Sequence, residues 1–372
     1  MAKAHVMVLP FPAQGHVTPF MELSHRLVDH GFEVTFVNTE VDHTLVVAAL
    51  PEALRGIHLA SIPDGLADEE DRKDLKKLID ASHHMPGHLE KLVADMEAAG
   101  RPRVKWLVGD YGMGWSFEVA KKLGIRVASF CPASVASLAI MLKIPELIQD
   151  GVLSDKGICQ CHSSRISLRS TYVLDLSGVI NFSPERTAGW PEREETLQLT
   201  PGMPPLHTSL LAWNNSGPPE GQPTIFQLLC RSNKFNDLAE IVVCNSFQEA
   251  EAGVFKLFPN ILPIGPLFAD SEFQKPVGNF LPEDMSCLKW LDARPDGSVV
   301  YVAFGSMAIF DPHQFQELAE GLELTGRPFL WVVRPDFTAG LSKAWLDEFK
   351  QRVAGTGMIV SWCPQQQVRP NP

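Results

Sequence analysis

The sequence predicts an α/β protein with two regions of parallel sheet. Three observations carry this. Short apolar runs alternate with amphipathic helical stretches over the first 131 residues. The same alternation returns after residue 298. A Pro/Gly-containing and then polar stretch separates the two.

The elements follow in order. His5–Leu9 is an apolar run of strand length, and Pro10-Phe11-Pro12-Ala13-Gln14-Gly15-His16 reads as a loop. Pro19 suits the first turn of a helix, with Thr18 as its N-cap. Met21, Leu23, Leu27 and Val28 give that helix its apolar side; Gly31 closes it, and Val34–Val37 is the next strand. This is a β–loop–α–β unit of the parallel kind. Val104–Val108 is another strand, followed by Asp110, a helix over Phe117–Leu123, Gly124 and the strand Val127–Cys131. In the second region, Ser298–Phe304 is a strand and Gly305-Ser306 a turn. Asp311 and Pro312 open a helix carrying Phe315, Leu318, Ala319 and Leu322; Gly326 ends it. Phe329–Val333 and Met358–Val360 are strands, the latter running into Trp362. Pro263-Ile264-Gly265-Pro266 and the polar segment up to Asp284 form the linker. The domains are therefore 1–262 and 285–372, joined by 263–284. Residues 158–189 hold Cys159, Cys161, many Ser and Arg and no sustained period, and fit neither region. The tail Arg369-Pro370-Asn371-Pro372 is a second misfit.

Composition excludes several classes. With 372 residues, 45% of them hydrophobic and 20% charged, the chain is a globular protein and not a disordered, collagenous or coiled-coil one. The net charge is −12 and no Lys/Arg run exceeds two, which argues against nucleic acid as a partner. No apolar run approaches a membrane span. Seven scattered cysteines suit reduced thiols and a cytoplasmic location.

Four places carry candidate chemistry. His16 sits between a strand and a helix N-terminus, where ligands bind in open α/β sheets. The helix dipole there disfavours extra positive charge, keeping the imidazole neutral and usable as a base; a solvated loop histidine is the other reading. Asp110 follows a strand at the same sheet edge and is placed either to orient His16 or to cap the next helix. Gly305-Ser306 is either a diphosphate-holding turn or an ordinary one. Trp362-Cys363-Pro364-Gln365 either stacks on a base or seals a core. Cys159-Gln160-Cys161-His162 does not have zinc spacing, and no metal is expected. Neither a dinucleotide fingerprint, a P-loop nor an Asp-x-Asp pair is present. The run Asp68-Glu69-Glu70-Asp71 reads as a solvated face.

Together these pieces resemble the plant family 1 UDP-glycosyltransferases. The resemblance rests on Phe11-Pro12-Ala13-Gln14-Gly15-His16-Val17-Thr18-Pro19, on Val108-Gly109-Asp110 and on Cys244-Asn245-Ser246-Phe247-Gln248-Glu249-Ala250-Glu251. It extends through Ile264-Gly265-Pro266-Leu267, Cys287-Leu288-Lys289-Trp290-Leu291-Asp292, Ser298 to Ser306, Trp331-Val332-Val333-Arg334 and Trp362 to Val368. It implies the GT-B fold, two Rossmann-like parallel-sheet domains. It implies that His16 deprotonates an acceptor hydroxyl, with Asp110 as its partner, for inverting O-glucosylation from UDP-glucose or a related UDP-sugar. Ser306 would lie near the diphosphate, and Trp362 would stack on uracil with the Cys363 backbone and Gln365 nearby. A small apolar acceptor of flavonoid, terpenoid or hormone type would sit in the first domain, lined by Met113, Trp115 and Met141. The UDP-sugar is the co-substrate, and no further cofactor is implied.

Two departures qualify what the resemblance implies. The family's signature box starts at Trp362 and runs only to Val368. Its phosphate-gripping, ribose-binding and sugar-binding segments, and the closing elements of the second domain, are absent, so that domain is expected to be incomplete. Residues 158–189 are extra relative to the family, as a retained intron would leave them. The alternative to an active transferase is therefore a truncated product that at most binds acceptor. A two-lobed binding protein without chemistry is a third reading.

Overall fold

The structure, a computed structural model, describes residues 3–50, 54, 56–67, 72, 74–154, 188–201, 203–214, 221–268, 275, 277–305, 310–338, 340–365, 367 and 368. The first region contains β1 (His5–Leu9), α1 (Gln14–Asp29), β2 (Glu33–Thr39), α2 (Glu40–Ala49), β3 (Ile57–Ile62), α3 (Leu75–Ala81) and α4 (Met85–Ala98). It continues with β4 (Val104–Asp110), α5 (Trp115–Lys122), β5 (Arg126–Cys131), α6 (Val135–Leu142) and α7 (Ile144–Gln149). A small antiparallel pair follows, β6 (Thr196–Leu197) and β7 (Leu206–His207), then α8 (Gln222–Asn236), β8 (Ile241–Cys244), α9 (Gln248–Leu257) and β9 (Ile261–Pro263). The second region has α10 (Ser286–Asp292), β10 (Val300–Ala303), α11 (Pro312–Leu324), β11 (Phe329–Val332), α12 (Lys343–Arg352) and β12 (Gly357–Val360).

The large sheet has seven parallel strands in the order β3-β2-β1-β4-β5-β8-β9, and the second has three in the order β10-β11-β12. A parallel sheet covered on both faces needs strands apolar throughout. All five residues of β1 are buried. Met7 and Leu9 face a cluster with Leu89, Val93 and Phe117, while Val6 and Val8 face Phe20, Met21 and Phe36. The polar exception in β1, His5, has both ring nitrogens engaged, by Pro102 O at 2.7 Å and Thr35 Oγ1 at 2.8 Å.

One boundary differs from the sequence expectation. α1 starts at Gln14, not Pro19, and Ala13 rather than Thr18 holds the N-cap position. The N–H groups of His16 and Val17 both reach Ala13 O, at 2.9 Å each, so the first turn closes before Pro19. Inside the helix, Pro19 forgoes only its own bond to the Gly15 carbonyl. In the second region the expected start is found: Asp311 accepts from Gln314 N at 2.8 Å and Gln314 Oε1 accepts from Asp311 N, a reciprocal cap. Its core is aromatic, with Trp331 stacked on Phe315 at 4.7 Å and edge-on to Phe349.

The segment between the sheets is not a free tether. Leu267, Val277 and Phe280 pack into the cluster of Phe20 and Val46. Arg26 Nη2 donates to Leu267 O at 2.5 Å, and Lys275 pairs with Asp29 at 2.6 Å.

Of residues 158–189, only Ala188 and Gly189 lie among the described residues. Ala188 is buried with Trp213 and Phe226. Gly189 has φ +84°, and a Cβ there would meet the Phe226 ring at 2.5 Å. The backbone on either side of 155–187 is clasped: Ser154 N donates to Trp190 O and Gly189 N to Ser154 O, both at 2.9 Å. The chain leaves and re-enters the domain at one place. Replacing residues 155–187 with a bridge of about four Gly and Ser residues is expected to preserve the cooperative urea transition. The shorter loop favours folding by up to about 2 kcal/mol, at roughly 0.6 kcal/mol per halving of length. A fall in the midpoint would show that the stretch contributes to the core.

Candidate active site

β1 and β4 are neighbours, and the chain proceeds outward on opposite sides of their boundary. In an open α/β sheet this switch point leaves a crevice beyond the strands' carboxyl ends. Asp110 is the last residue of β4, and His16 lies in the first turn of α1, just after β1. The fold brings them into contact, with His16 Nδ1 2.7 Å from Asp110 Oδ2.

Asp110 is 1% exposed, so its charge requires partners. Oδ2 faces His16, and Oδ1 accepts Gly112 N–H at 2.8 Å, capping the short helical turn Tyr111–Met113. One oxygen thus meets His16, while the other caps the short turn that precedes α5 and not α5 itself, whose N-cap position is Gly114. A carboxylate only accepts, so Nδ1 carries the proton and Nε2 presents its lone pair. Among the described residues Nε2 has no partner, and the His16 side chain is 37% exposed. Phe11 packs on the imidazole at 5.3 Å between centroids. A Cβ on Gly112 would come within 3.3 Å of the Phe11 ring, so a glycine lets this wedge sit close.

The expected electrostatics of His16 require correction. The helix N-terminus was expected to hold the imidazole neutral. Instead, the pKa is raised from 6.5: burial opposes the charged form, and the charge and hydrogen bond of Asp110 outweigh it. A full charge at 2.7 Å exceeds a helix terminus worth about half a charge. This favours the folded state fully below the unfolded pKa of about 6.5. The contribution is lost as pH rises through the higher folded value.

The other expected residues are distributed. Met113 is buried with Met7, Leu9 and Phe117, and Trp115 packs half-buried on the same cluster. Met141 lies in another cluster with Tyr111 and Leu138; its carbonyl accepts from Asn233 Nδ2 at 2.7 Å. Trp362 is 8% exposed and seals the second core with Cys287, Leu330 and Val332. Cys363 is buried, its Sγ 3.4 Å from the Tyr301 hydroxyl, and Gln365 is exposed. Ser306, Cys159 and Cys161 lie outside the described residues. Phe11, Gly112 and Gln14 were missed as site residues, although Gly112 two positions after Asp110 has the spacing of an Asx turn. A cavity of about 490 Å³ at the ends of β2 and β3, lined by Glu40, Val41, Thr44, Asp64, Leu66 and Arg72 among others, does not include His16. Among the described residues no His, Cys, Asp or Glu group is placed to hold a metal, and no helix is long and apolar enough to cross a membrane.

No family model matches the chain. UDP-glycosyltransferase 83A1 of Arabidopsis thaliana is 36% identical over 381 residues, spanning 99% of this chain and 73% of that protein. The chain belongs to the plant family 1 UDP-glycosyltransferases. The 7-deoxyloganetin glucosyltransferase of Gardenia jasminoides is 30% identical, spanning 100% of this chain and 75% of its own length. A Polygonum tinctorium UDP-glucosyltransferase superposes with a TM-score of 0.69 at 25% identity, over 98% of this chain and 73% of that one. Rice Os79, solved with UDP, has the same fold, with a TM-score of 0.69 at 24% identity over 98% and 75%. The two parallel sheets are thus the two Rossmann-like domains of a GT-B transferase. In this family member, Asp110→Asn keeps an acceptor for Gly112 N–H and removes the charge beside His16. The His16 pKa is expected to fall, followed by the imidazole NMR shifts against pH; an unchanged value would assign its elevation elsewhere.

Proposed function

We propose that this UDP-glycosyltransferase transfers glucose from UDP-glucose to a hydroxyl of a small apolar acceptor, with His16 as general base. The observation that carries this is the pairing of a protonated Nδ1 with buried Asp110, which leaves Nε2 open at the sheet's switch point. The acceptor O–H gives its proton to Nε2 as an oxygen lone pair forms the bond to the anomeric carbon. The bond from that carbon to the diphosphate oxygen breaks, and UDP leaves with the electron pair. In-line attack on an α-linked donor yields a β-glycoside. Asp110 stabilises the imidazolium through the transfer.

Glucose is assigned because relatives bear that activity in their names, among them the 7-deoxyloganetin glucosyltransferases. The Polygonum tinctorium enzyme is described as glucosylating indoxyl, which supports a small apolar acceptor. Flavonoid, terpenoid and hormone types all fit that description. We assign Ser306, Trp362, Cys363 and Gln365 to the donor side and Met113, Trp115 and Met141 to the acceptor side. UDP-glucose serves as co-substrate without another cofactor or a metal, and the setting is cytoplasmic. A second reading, acceptor binding without transfer, draws on the burial of the Trp362 indole among Leu330, Val332 and Cys363.

Purified chain with UDP-glucose and a panel of phenols distinguishes the two. Transfer is expected, with kcat reduced about 10²- to 10⁴-fold by His16→Ala. In the unaltered chain kcat should climb as pH rises through a value above 6.5, because the base must be neutral. Equal turnover by the variant would remove His16 from its role. Bound acceptor without turnover would establish the second reading.

A further inference from the structure

Gln14 opens α1 two residues before His16 and is 8% exposed. Its amide is fully engaged. Oε1 accepts the backbone N–H of Phe280, and Nε2 donates to Thr18 Oγ1 and to Asn279 Oδ1, the latter at 3.2 Å. Asn279 and Phe280 belong to the segment between the two sheets. From there the contacts continue toward the second domain. Asn279 Nδ2 donates to Glu283 Oε1 at 2.7 Å, and Asp284 N donates to Trp362 O at 2.9 Å. The segment is seated as well as bonded. Val277 and Phe280 pack with Phe20, and a Cβ on Gly278 would meet Val46 at 2.6 Å.

A path of hydrogen bonds and short backbone steps therefore joins the turn carrying His16 to Trp362, two residues beyond β12. We propose that Gln14 is a positioning residue that fixes the His16 turn relative to the Trp362 half of the protein. This rests on the functional reading above. Gln14 touches neither His16 nor Asp110 in the contacts described; it acts through the strap. Its loss leaves the Phe280 N–H and Asn279 Oδ1 without their Gln14 partner and removes the polar link between α1 and this part of the strap. Misplacing reacting groups by about 1 Å costs on the order of 10²-fold in rate.

Gln14→Ala is expected to lower kcat about 10- to 100-fold while acceptor KM and the His16 pKa stay near their original values. Gln14→Glu, which still accepts from Phe280 N–H, should recover part of the loss. Asn279→Ala added to Gln14→Ala should cost little more, because both act through one contact. Hydrogen exchange should quicken at Phe280 and, further along, at Asp284, whose amide is bonded to Trp362. A purely local packing role would leave Asp284 unchanged. Unaltered kcat in Gln14→Ala, or unaltered exchange at Asp284, overturns the proposal. If the unaltered chain performs no transfer, the functional reading fails, and exchange at Asp284 alone decides whether Gln14 positions the two halves. If Gln14→Ala does not fold, the same exchange measurement on Gln14→Glu decides, with slower exchange than in Asn279→Ala expected and equal or faster exchange overturning the proposal.

Discussion

A buried carboxylate is the constraint from which the site follows. Leaving Asp110 charged in the interior without partners would be far more costly than any single packing contact. The fold meets that demand with two donors from different elements, the Gly112 N–H of the following turn and the imidazole of α1. Each answers a local need as well: the turn gains a cap, and the imidazole gains a fixed tautomer. The central strand pair, the helix start and the Phe11 wedge are thus tied to one side chain. The same contact holds one edge of His16 on the protein while the ring remains partly open to solvent.

The strap between the domains is held by two kinds of force, and their magnitudes rank them. The exposed Lys275–Asp29 pair is of a type worth at most about 1 kcal/mol. Burying an aliphatic side chain such as Leu267 contributes about 1.5–3 kcal/mol, and Val277 adds to it. Apolar seating therefore supplies the affinity of the strap for α1. The polar contacts of Gln14 and Arg26 set its register.

Much of this was legible in the sequence where one local rule dominated. β1 could be delimited because a wholly apolar run is bounded by Pro10 and His5. The start of α11 was marked by Asp311 and Pro312, and the partner of the cap stands three residues on at Gln314. His16 and Asp110 were legible as strand-end residues, and their contact follows from adjacent parallel strands. The start of α1 was not, because Pro19 carries the signature of a first turn whereas Ala13 has no capping side chain. The upward shift of His16 was not legible because it depends on how close Asp110 comes, and only a contact at 2.7 Å lets the carboxylate outweigh burial and the helix terminus. The seated strap was missed because Leu267, Val277 and Phe280 follow no local period. The three-residue β9 lies below the length at which periodicity discriminates.

The clasp between Ser154 and Gly189 has a consequence for chain length. Where two backbone positions are already bonded to each other, the length of chain between them enters folding only through a slowly growing closure entropy. A change in the number of residues there leaves the clasped ends, and with them β1, β4 and the histidine–carboxylate pair, in place. The clasp is a permissive port in an otherwise close-packed domain.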